Sequence, residues 1–220
     1  MGDGLVGYGC DARCAKNVYV DESSSVCVCA HVYEPAEDTW LALEVVRELI
    51  GANRGASLEL CIDVGSGTGV LGLECGSKNV PYTLLLDMNP CAAYCSRLNA
   101  KRRGVDGLLD VAQCDGLSCI RCPDRRFLVV YNTPYLPVDD GDLEGLAWSG
   151  GIREAERLAR YAGSCPRLAC IVLVYSSLSG SDKEVLKTLR EAGVAVERRS
   201  LHIFFEDIVV VHGCRKRGLG

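Results

Sequence analysis

Nowhere in these 220 residues does an apolar run approach the roughly 20 residues that a membrane-spanning helix needs. The first residues carry no basic segment followed by an apolar one, so no secretory signal is expected and the default compartment is the cytoplasm. Basic charge is not in excess either: 24 Lys and Arg against 29 Asp and Glu leave a formal charge of −5. Affinity for nucleic-acid backbone comes mainly from Lys and Arg on phosphates, so a protein that grips long stretches of it is disfavoured. Histidine is scarce, and His31, His202 and His212 do not cluster in sequence with the one Cys-x-x-Cys, Cys119 to Cys122. No second pair at zinc-ribbon spacing accompanies it, so no metal site is expected. Internal repeats and low-complexity linkers are absent from the sequence. What remains is an ordinary globular composition, long enough for one α/β domain with a substantial core.

Cysteine, by contrast, is abundant at 14 residues. Scattered cysteines in a chain without a secretory signal read mostly as small buried hydrophobes. The alternative is intracellular disulfides, which are rare outside hyperthermophiles. Cys91 and Cys95 stand one helical turn apart, too far to bridge easily, so any disulfides are expected to link distant segments.

The hydrophobic pattern alternates strand and helix after an N-terminal prelude. Val18-Tyr19-Val20 and Val26-Cys27-Val28-Cys29 flank a polar stretch and predict a hairpin. From Pro35 the positions Trp40, Leu41, Leu43, Val45, Val46, Leu49 and Ile50 predict a helix ending at Gly51. Strands follow at 58–64, 84–87, 108–113, 127–131 and 168–175, with helices from about 69, from 90 to 103, at 152–162 and from 181 or 182 to about 193. Asn89 is placed to cap the helix that begins at Pro90. Residues 194–198 and 208–211 read as closing strands. The expected division is an N-terminal extension over 1–31, a main domain over 32–212 and a basic tail over 213–220. Alternating strands and helices imply a mostly parallel sheet covered on both faces, with ligands at the carboxyl ends of its strands.

Three polar signals fall just there. The first is Asp63-Val64-Gly65-Ser66-Gly67-Thr68-Gly69, an acid and three glycines after a buried strand. Glycines let the backbone turn sharply and approach a ligand without Cβ clashes. The second is Asp87, placed to accept hydrogen bonds from ribose hydroxyls. The third is Asn132-Thr133-Pro134-Tyr135. Gly67-Thr68-Gly69-Val70-Leu71-Gly72 also matches the dinucleotide fingerprint, with Asp87 at about its expected distance, so a nicotinamide-dependent oxidoreductase is a rival. That fingerprint's first glycine should directly follow the strand, however, and here Gly65 and Ser66 intervene. The register fits S-adenosylmethionine better, with Asp63 or nearby carbonyls accepting from its amino group and Asp115 from the adenine. A bare strand-to-helix turn and a solvated loop acid are the plain alternatives for the glycines and for Asp115.

An amide nitrogen is a poor nucleophile because its lone pair is delocalised into the carbonyl. A site that methylates it must accept its N–H protons and align it with the sulfonium methyl. Asn132 offers a side-chain carbonyl, Thr133 a main-chain carbonyl, Pro134 a stiff turn and Tyr135 an aromatic face. The gain would come from orientation and placed dipoles, with no histidine base required. Taken alone, the tetrapeptide could equally be a simple turn after a strand.

Five segments in order now support a family reading. They are Val32-Tyr33-Glu34-Pro35-Ala36-Glu37-Asp38-Thr39-Trp40-Leu41, the 63–69 loop, Asp87-Met88-Asn89-Pro90, Asn132-Thr133-Pro134-Tyr135 and Trp148-Ser149-Gly150-Gly151. The chain resembles the HemK-related class I methyltransferases, in the archaeal and eukaryotic release-factor glutamine methyltransferase branch. The Tyr-Glu-Pro-Ala-Glu-Asp-Thr stretch is the most specific of these and separates the branch from general adenine methyltransferases. The resemblance implies a Rossmann-like seven-stranded methyltransferase sheet. It implies cofactor contacts from Thr39, Asp63, Gly65, Gly67, Asp87, Asp115, Gly116 and Asn132. It implies as substrate the glutamine of a Gly-Gly-Gln motif in a class I translation termination factor, and often a small zinc-binding activator as partner. One departure is Thr133, where the family usually has proline. The cysteine-rich first 30 residues are not explained by the resemblance.

An N6-adenine methyltransferase is the main alternative, since an exocyclic amine suits the same clamp. Such enzymes usually need a target-reading region and a basic face or base extrusion, and this acidic chain lacks room for an added domain. A non-catalytic subunit with the same fold is disfavoured by the intact Asp87, Asn132 and Tyr135. The strand predicted at 108–113 is expected at the sheet edge, open to strand addition by a partner.

Overall fold

The computed structural model describes residues 10, 13–51, 58–77, 80–135 and 150–215. Its chain order is β1 (Cys14–Tyr19), β2 (Ser25–Cys29), α1 (Glu37–Gly51), β3 (Leu60–Val64), α2 (Val70–Ser77), β4 (Thr83–Asp87), α3 (Pro90–Arg103), β5 (Leu109–Gln113), β6 (Phe127–Asn132), α4 (Arg153–Ser164), β7 (Leu168–Ser176), α5 (Lys183–Glu191), β8 (Val194–Ile203) and β9 (Glu206–Arg215). Seven strands form one sheet in the order β5-β4-β3-β6-β7-β9-β8. The first five pair in parallel, and β9 joins β7 and β8 antiparallel. From β3 the chain steps outward to β4 and β5, then returns to place β6 on the other side of β3. The crevice for a ligand therefore opens where β3 and β6 diverge at their carboxyl ends.

The period of two along β6 builds both halves of the core. Leu128 and Val130 join the cluster under α1 and α2, while Phe127, Val129 and Tyr131 join the cluster under α4 and α5. All nine residues of β7 are buried, as a central strand covered on both faces must be. Gly72 is required by this packing. A Cβ there would lie 2.2 Å from Leu85 Cδ2 and 2.9 Å from Asp63 Cβ, so α2 can lie this close to β3 and β4 only with a glycine.

The closing strands are longer than the sequence pattern indicates. β8 and β9 make a hairpin of two ten-residue strands, and β9 runs to Arg215, into the expected tail. Burial on one side only hides that extent, since most of β8 is exposed. Residues 216–220, the first residues of the N-terminal extension and Trp148-Ser149 lie outside the described residues. Among the described residues no helix is long and apolar enough to cross a membrane.

The predicted N-terminal hairpin forms, with β1 and β2 antiparallel. It docks on α3 through the buried side chains of Cys95 and Asn99, with Arg102 donating to Asn17 at 2.7 Å. Asn99 accepts from the Cys27 N–H at 2.7 Å and donates to the carbonyls of Cys27 at 2.8 Å and Thr68 at 2.9 Å. That one amide joins the hairpin to the glycine loop.

The reading of most cysteines as inert hydrophobes does not hold. Sulfurs pair in Cys10–Cys91, Cys14–Cys27, Cys114–Cys119, Cys122–Cys165 and Cys170–Cys214. Two of these are local rather than distant, with separations of 13 and 5 residues. Pairing needs Cα atoms within about 7 Å, and only the folded chain reveals which are. Cys170 and Cys214, for instance, are register partners across β7 and β9. Cys29, Cys61, Cys75 and Cys95 remain as buried thiols. The sulfurs of Cys27, Cys29 and Cys95 come within 4.8 Å of one another. Because Cys27 is committed to Cys14, that group leaves two thiols.

Candidate active site

Four loops at the carboxyl ends of β3, β4, β5 and β6, together with the start of α1 and one face of α4, line a cavity of about 740 Å³. This is the size of a typical small-molecule site. Every residue expected to touch cofactor or substrate lines it: Thr39, Asp63, Gly65, Gly67, Asp87, Asp115, Gly116, Asn132, Thr133, Pro134 and Tyr135.

The β3 and β4 side is built from backbone and two buried acids. Gly65, Gly67 and Gly69 all have positive φ, of 63°, 55° and 82°, so the loop winds through left-handed conformations that side chains disfavour. Asp63 accepts from the Gly72 N–H at 2.8 Å. Asp87 accepts from the Gly67 N–H with one oxygen and the Asn89 N–H with the other, both at 2.8 Å. Asn89 in turn caps α3 by accepting from the Cys91 N–H at 2.9 Å. Each carboxylate oxygen keeps a second lone pair for a ligand. Burial raises the Asp63 pKa to about 7, against the Gly72 hydrogen bond and with the Asp87 charge adding. Burial likewise raises Asp87 to about 6, opposed by its two backbone donors. Both acids therefore gain from donors or positive charge placed in the cavity. The Ser66 hydroxyl is buried without a partner among the described residues. Acceptors at Asp63 and Asp87, beside the apolar Val70, Leu71 and Met88, fit the amino group, ribose and adenosyl body of S-adenosylmethionine. The tight seat of Gly72 is also what a dinucleotide loop requires, so packing alone does not separate the two cofactor classes.

The β6 side is built from side chains that converge on Asp38, a residue the sequence reading did not single out. Asp38 is 3% exposed. Its Oδ2 accepts from Tyr33 Oη at 3.1 Å, Asn132 Nδ2 at 2.9 Å and Tyr135 Oη at 3.1 Å. Its Oδ1 accepts from the Thr39 backbone N–H at 2.6 Å and hydroxyl at 3.1 Å. An ionised carboxylate only accepts, so the Asn132 NH2 must face it and Oδ1 must face away. That Oδ1 is buried with no partner among the described residues. A buried amide carbonyl without a donor is costly, and a donor brought to it would relieve that cost. Burial, and then the Asp38 charge, push both the Tyr33 and Tyr135 phenols up, so both remain donors.

Thr133 anchors the turn. Its N–H and hydroxyl both donate to the Val174 carbonyl, at 3.2 and 2.7 Å. The threonine at this position thus adds a tie to β7 that proline could not make. Ser179 donates to the Tyr135 carbonyl at 2.8 Å. A Cβ on Gly150 would lie 2.5 Å from the Pro134 carbonyl, which explains the glycine in that motif.

Asp115 sits at the rim, with its side chain 60% exposed and 3.8 Å from Arg157. Arg157 also pairs with Glu154 at 3.1 Å, and Glu154 accepts from Tyr131 Oη at 3.3 Å. In the sequence, Arg153, Glu154, Glu156 and Arg157 read only as the polar side of the helix expected at 152–162. Their place in the cavity wall is a tertiary fact, as is that of Glu206 from β9.

No family model matches the chain. Human HEMK2, named a methyltransferase, is 30% identical over 172 residues, which cover 74% of this chain and 79% of that protein. Mouse HEMK2 is 29% identical over the same shares. A Methanocaldococcus jannaschii protein provisionally named a protein N5-glutamine methyltransferase is 28% identical over 84% of this chain and 92% of its own length. Among solved structures, the E. cuniculi Mtq2-Trm112 complex, described as responsible for methylating the eRF1 termination factor, aligns with a TM-score of 0.57 at 22% identity. It covers 84% of this chain and 99% of that one. A ribosomal protein L11 methylase from Lactobacillus delbrueckii aligns with a TM-score of 0.60 at 13% identity, covering 84% and 82%. The structural likenesses establish a class I methyltransferase fold. The identity and coverage shared with HEMK2 go further: the chain belongs to the HemK-related methyltransferases.

Proposed function

We propose that this protein methylates the side-chain amide of a glutamine, within the Gly-Gly-Gln motif of a class I translation termination factor, using S-adenosylmethionine. The observation that carries the reading is Asn132: it lines the cavity, its NH2 is held by Asp38, and its carbonyl oxygen is buried without a donor among the described residues. A primary amide offers two N–H groups, and Asn132 Oδ1 would accept one. The Thr133 main-chain carbonyl is the intended acceptor for the other. When bound, S-adenosylmethionine supplies an electrophilic methyl group on a sulfonium. Asp63 and Asp87 hold its polar ends, with Thr39, Gly65, Gly67, Asp115 and Gly116 around it. Tyr135, held by its hydroxyl on Asp38, gives the planar amide a face to lie on. Rate comes from holding the nitrogen in line with its lone pair facing the methyl.

Relatives point the same way: one is provisionally named a protein N5-glutamine methyltransferase, and the Mtq2-Trm112 complex is described as methylating the eRF1 factor. The test is transfer of a labelled methyl group to a termination factor, with the modified residue located by mass spectrometry. Label on the Gly-Gly-Gln glutamine is expected. Label on adenine of DNA or RNA instead would replace this reading with the N6-adenine one.

A partner belongs to the same proposal. β5 is the outer strand of the sheet, and Leu108, just before it, is 46% exposed. An open parallel edge invites strand addition. The partner proposed there is a small zinc-binding activator, in line with the two-protein Mtq2-Trm112 assembly. Amide exchange over residues 105–113 should slow when it binds. Unchanged exchange, with full activity of the lone chain, would remove it.

A further inference from the structure

Two of the three phenylalanines in the chain lie outside every core cluster. Phe204 and Phe205 are 87% and 92% exposed. Ile203 pairs with Glu206, so the two rings are the whole connection between β8 and β9. Phe204 has φ of 52°, a left-handed conformation in which a bulky residue is an outlier. Two-residue hairpin turns ordinarily place Gly, Asn or Asp in such positions. The turn would be less strained, and the surface more soluble, with small polar residues, so the rings are not explained by the fold.

Their position supplies a reason. Glu206, the next residue, lines the cavity and is hydrogen-bonded to Ser176. Its charge is close enough to Tyr135 to contribute to that phenol's raised pKa. The Asp207 N–H donates to Ser177 Oγ at 2.9 Å, tying the hairpin to the 3-10 turn Ser177–Ser179. Leu178 in that turn is 53% exposed, and Ser179 holds the Tyr135 carbonyl. The tip therefore stands on the Tyr135 side of the cavity, two strands beyond β6 and away from the glycine loop. β5 lies at the opposite end of the strand order, so a partner added there leaves the tip uncovered.

We propose that Phe204 and Phe205, with Leu178, form an apolar shelf on which the protein bearing the acceptor glutamine docks. A side chain can enter a cavity in a sheet crevice only if the rest of its macromolecule lies across the rim, and this stretch of rim is apolar and aromatic. Aromatic residues, phenylalanine among them, are enriched in protein interfaces relative to the rest of the surface. The proposal rests on the glutamine reading for the identity of its occupant.

The test uses the full chain with Phe204→Asn and Phe205→Ser together, and separately a photo-crosslinking phenylalanine analogue at position 205. The substrates are an intact class I termination factor and a short Gly-Gly-Gln peptide. The double variant should fold as well as the parent, since both new residues suit the turn. Its KM for the intact factor should rise on the order of 10-fold or more, with kcat at saturation and kcat/KM for the peptide unchanged. The crosslink should map to the factor near its glutamine. An unchanged KM and no crosslink would overturn the shelf while leaving glutamine methylation standing. So would equal loss on peptide and intact factor, which would mean that the tip acts on the site itself. A crosslink to the factor without methyl transfer would support the shelf and overturn the glutamine reading. Neither crosslink nor transfer would remove both.

Discussion

The two walls of the cavity are made differently. On the β3 and β4 wall, short loops present backbone N–H groups to Asp63 and Asp87, and each partnership spans at most 20 residues. On the β6 wall, Asn132 and Tyr135 meet Asp38 across 94 and 97 residues. The first wall is complete within one strand-helix-strand unit, β3-α2-β4. The second exists only once α1 is seated on the sheet. The difference teaches that affinity for the cofactor and orientation of the substrate are separable, and substitutions should separate them.

The largest effect is expected at Asn132. Asn132→Ala removes the carbonyl proposed to hold the reacting nitrogen, and turnover under saturating substrate should fall on the order of 10²-fold or more. Calorimetry should show cofactor binding at least partly kept. A variant with parental turnover would break the assignment of substrate orientation to this wall.

Asp38→Asn should act through Asn132, since an amide can donate as well as accept and no longer dictates which way the Asn132 amide turns. A loss of kcat of about 10-fold to 100-fold is expected, with cofactor affinity little changed. Loss of cofactor binding alone would place Asp38 with the other wall.

Gly72→Ala probes the first wall through packing. Leu85 and Asp63 must yield to the new methyl, costing about 1–3 kcal/mol in urea unfolding at constant slope. Because Asp63 shifts too, cofactor affinity should fall more than kcat does.

The smallest effect is a pH dependence confined to the first wall. Asp63 and Asp87 have folded pKa values raised above 3.8, to about 7 and about 6. A carboxyl raised on folding keeps its proton longer in the native chain. The ligand-free protein therefore gains stability from these groups below pH 4 and loses it as pH rises toward 7. The ionised forms are the better acceptors for the cofactor. Its affinity should thus rise with pH through 6 to 7, by about 10-fold for one unit of linked shift. Calorimetry at pH 5.5 and 8 checks the sign, and a flat profile would separate these acids from the ligand.

The amino-acid sequence by itself determined the alternation of strands and helices. That alternation is written in residue-to-residue periodicity and in local signals such as Asn89 before Pro90, which the folded chain uses as a helix cap. It also determined the glycine loop and its two acids, because positive φ and strand-end carboxylates are short-range requirements. The edge position of β5 was legible as well, from the order of elements. Tertiary structure alone decided the rest. Asp38 looks like any acid in the first turn of a helix until Asn132 and Tyr135, from the end of β6, join the nearby Tyr33 in converging on it. Glu154, Arg157 and Glu206 look like solvated charges until their helix and strand close the cavity. The cysteine pairs depend on Cα separations of 4.0 to 6.0 Å that no spacing in the sequence encodes. In most of these cases the deciding quantity is a distance between residues far apart in the chain, and in the local cysteine pairs it is the folded course of the backbone between them. Such distances are set by the packing of whole elements, which local patterns do not carry.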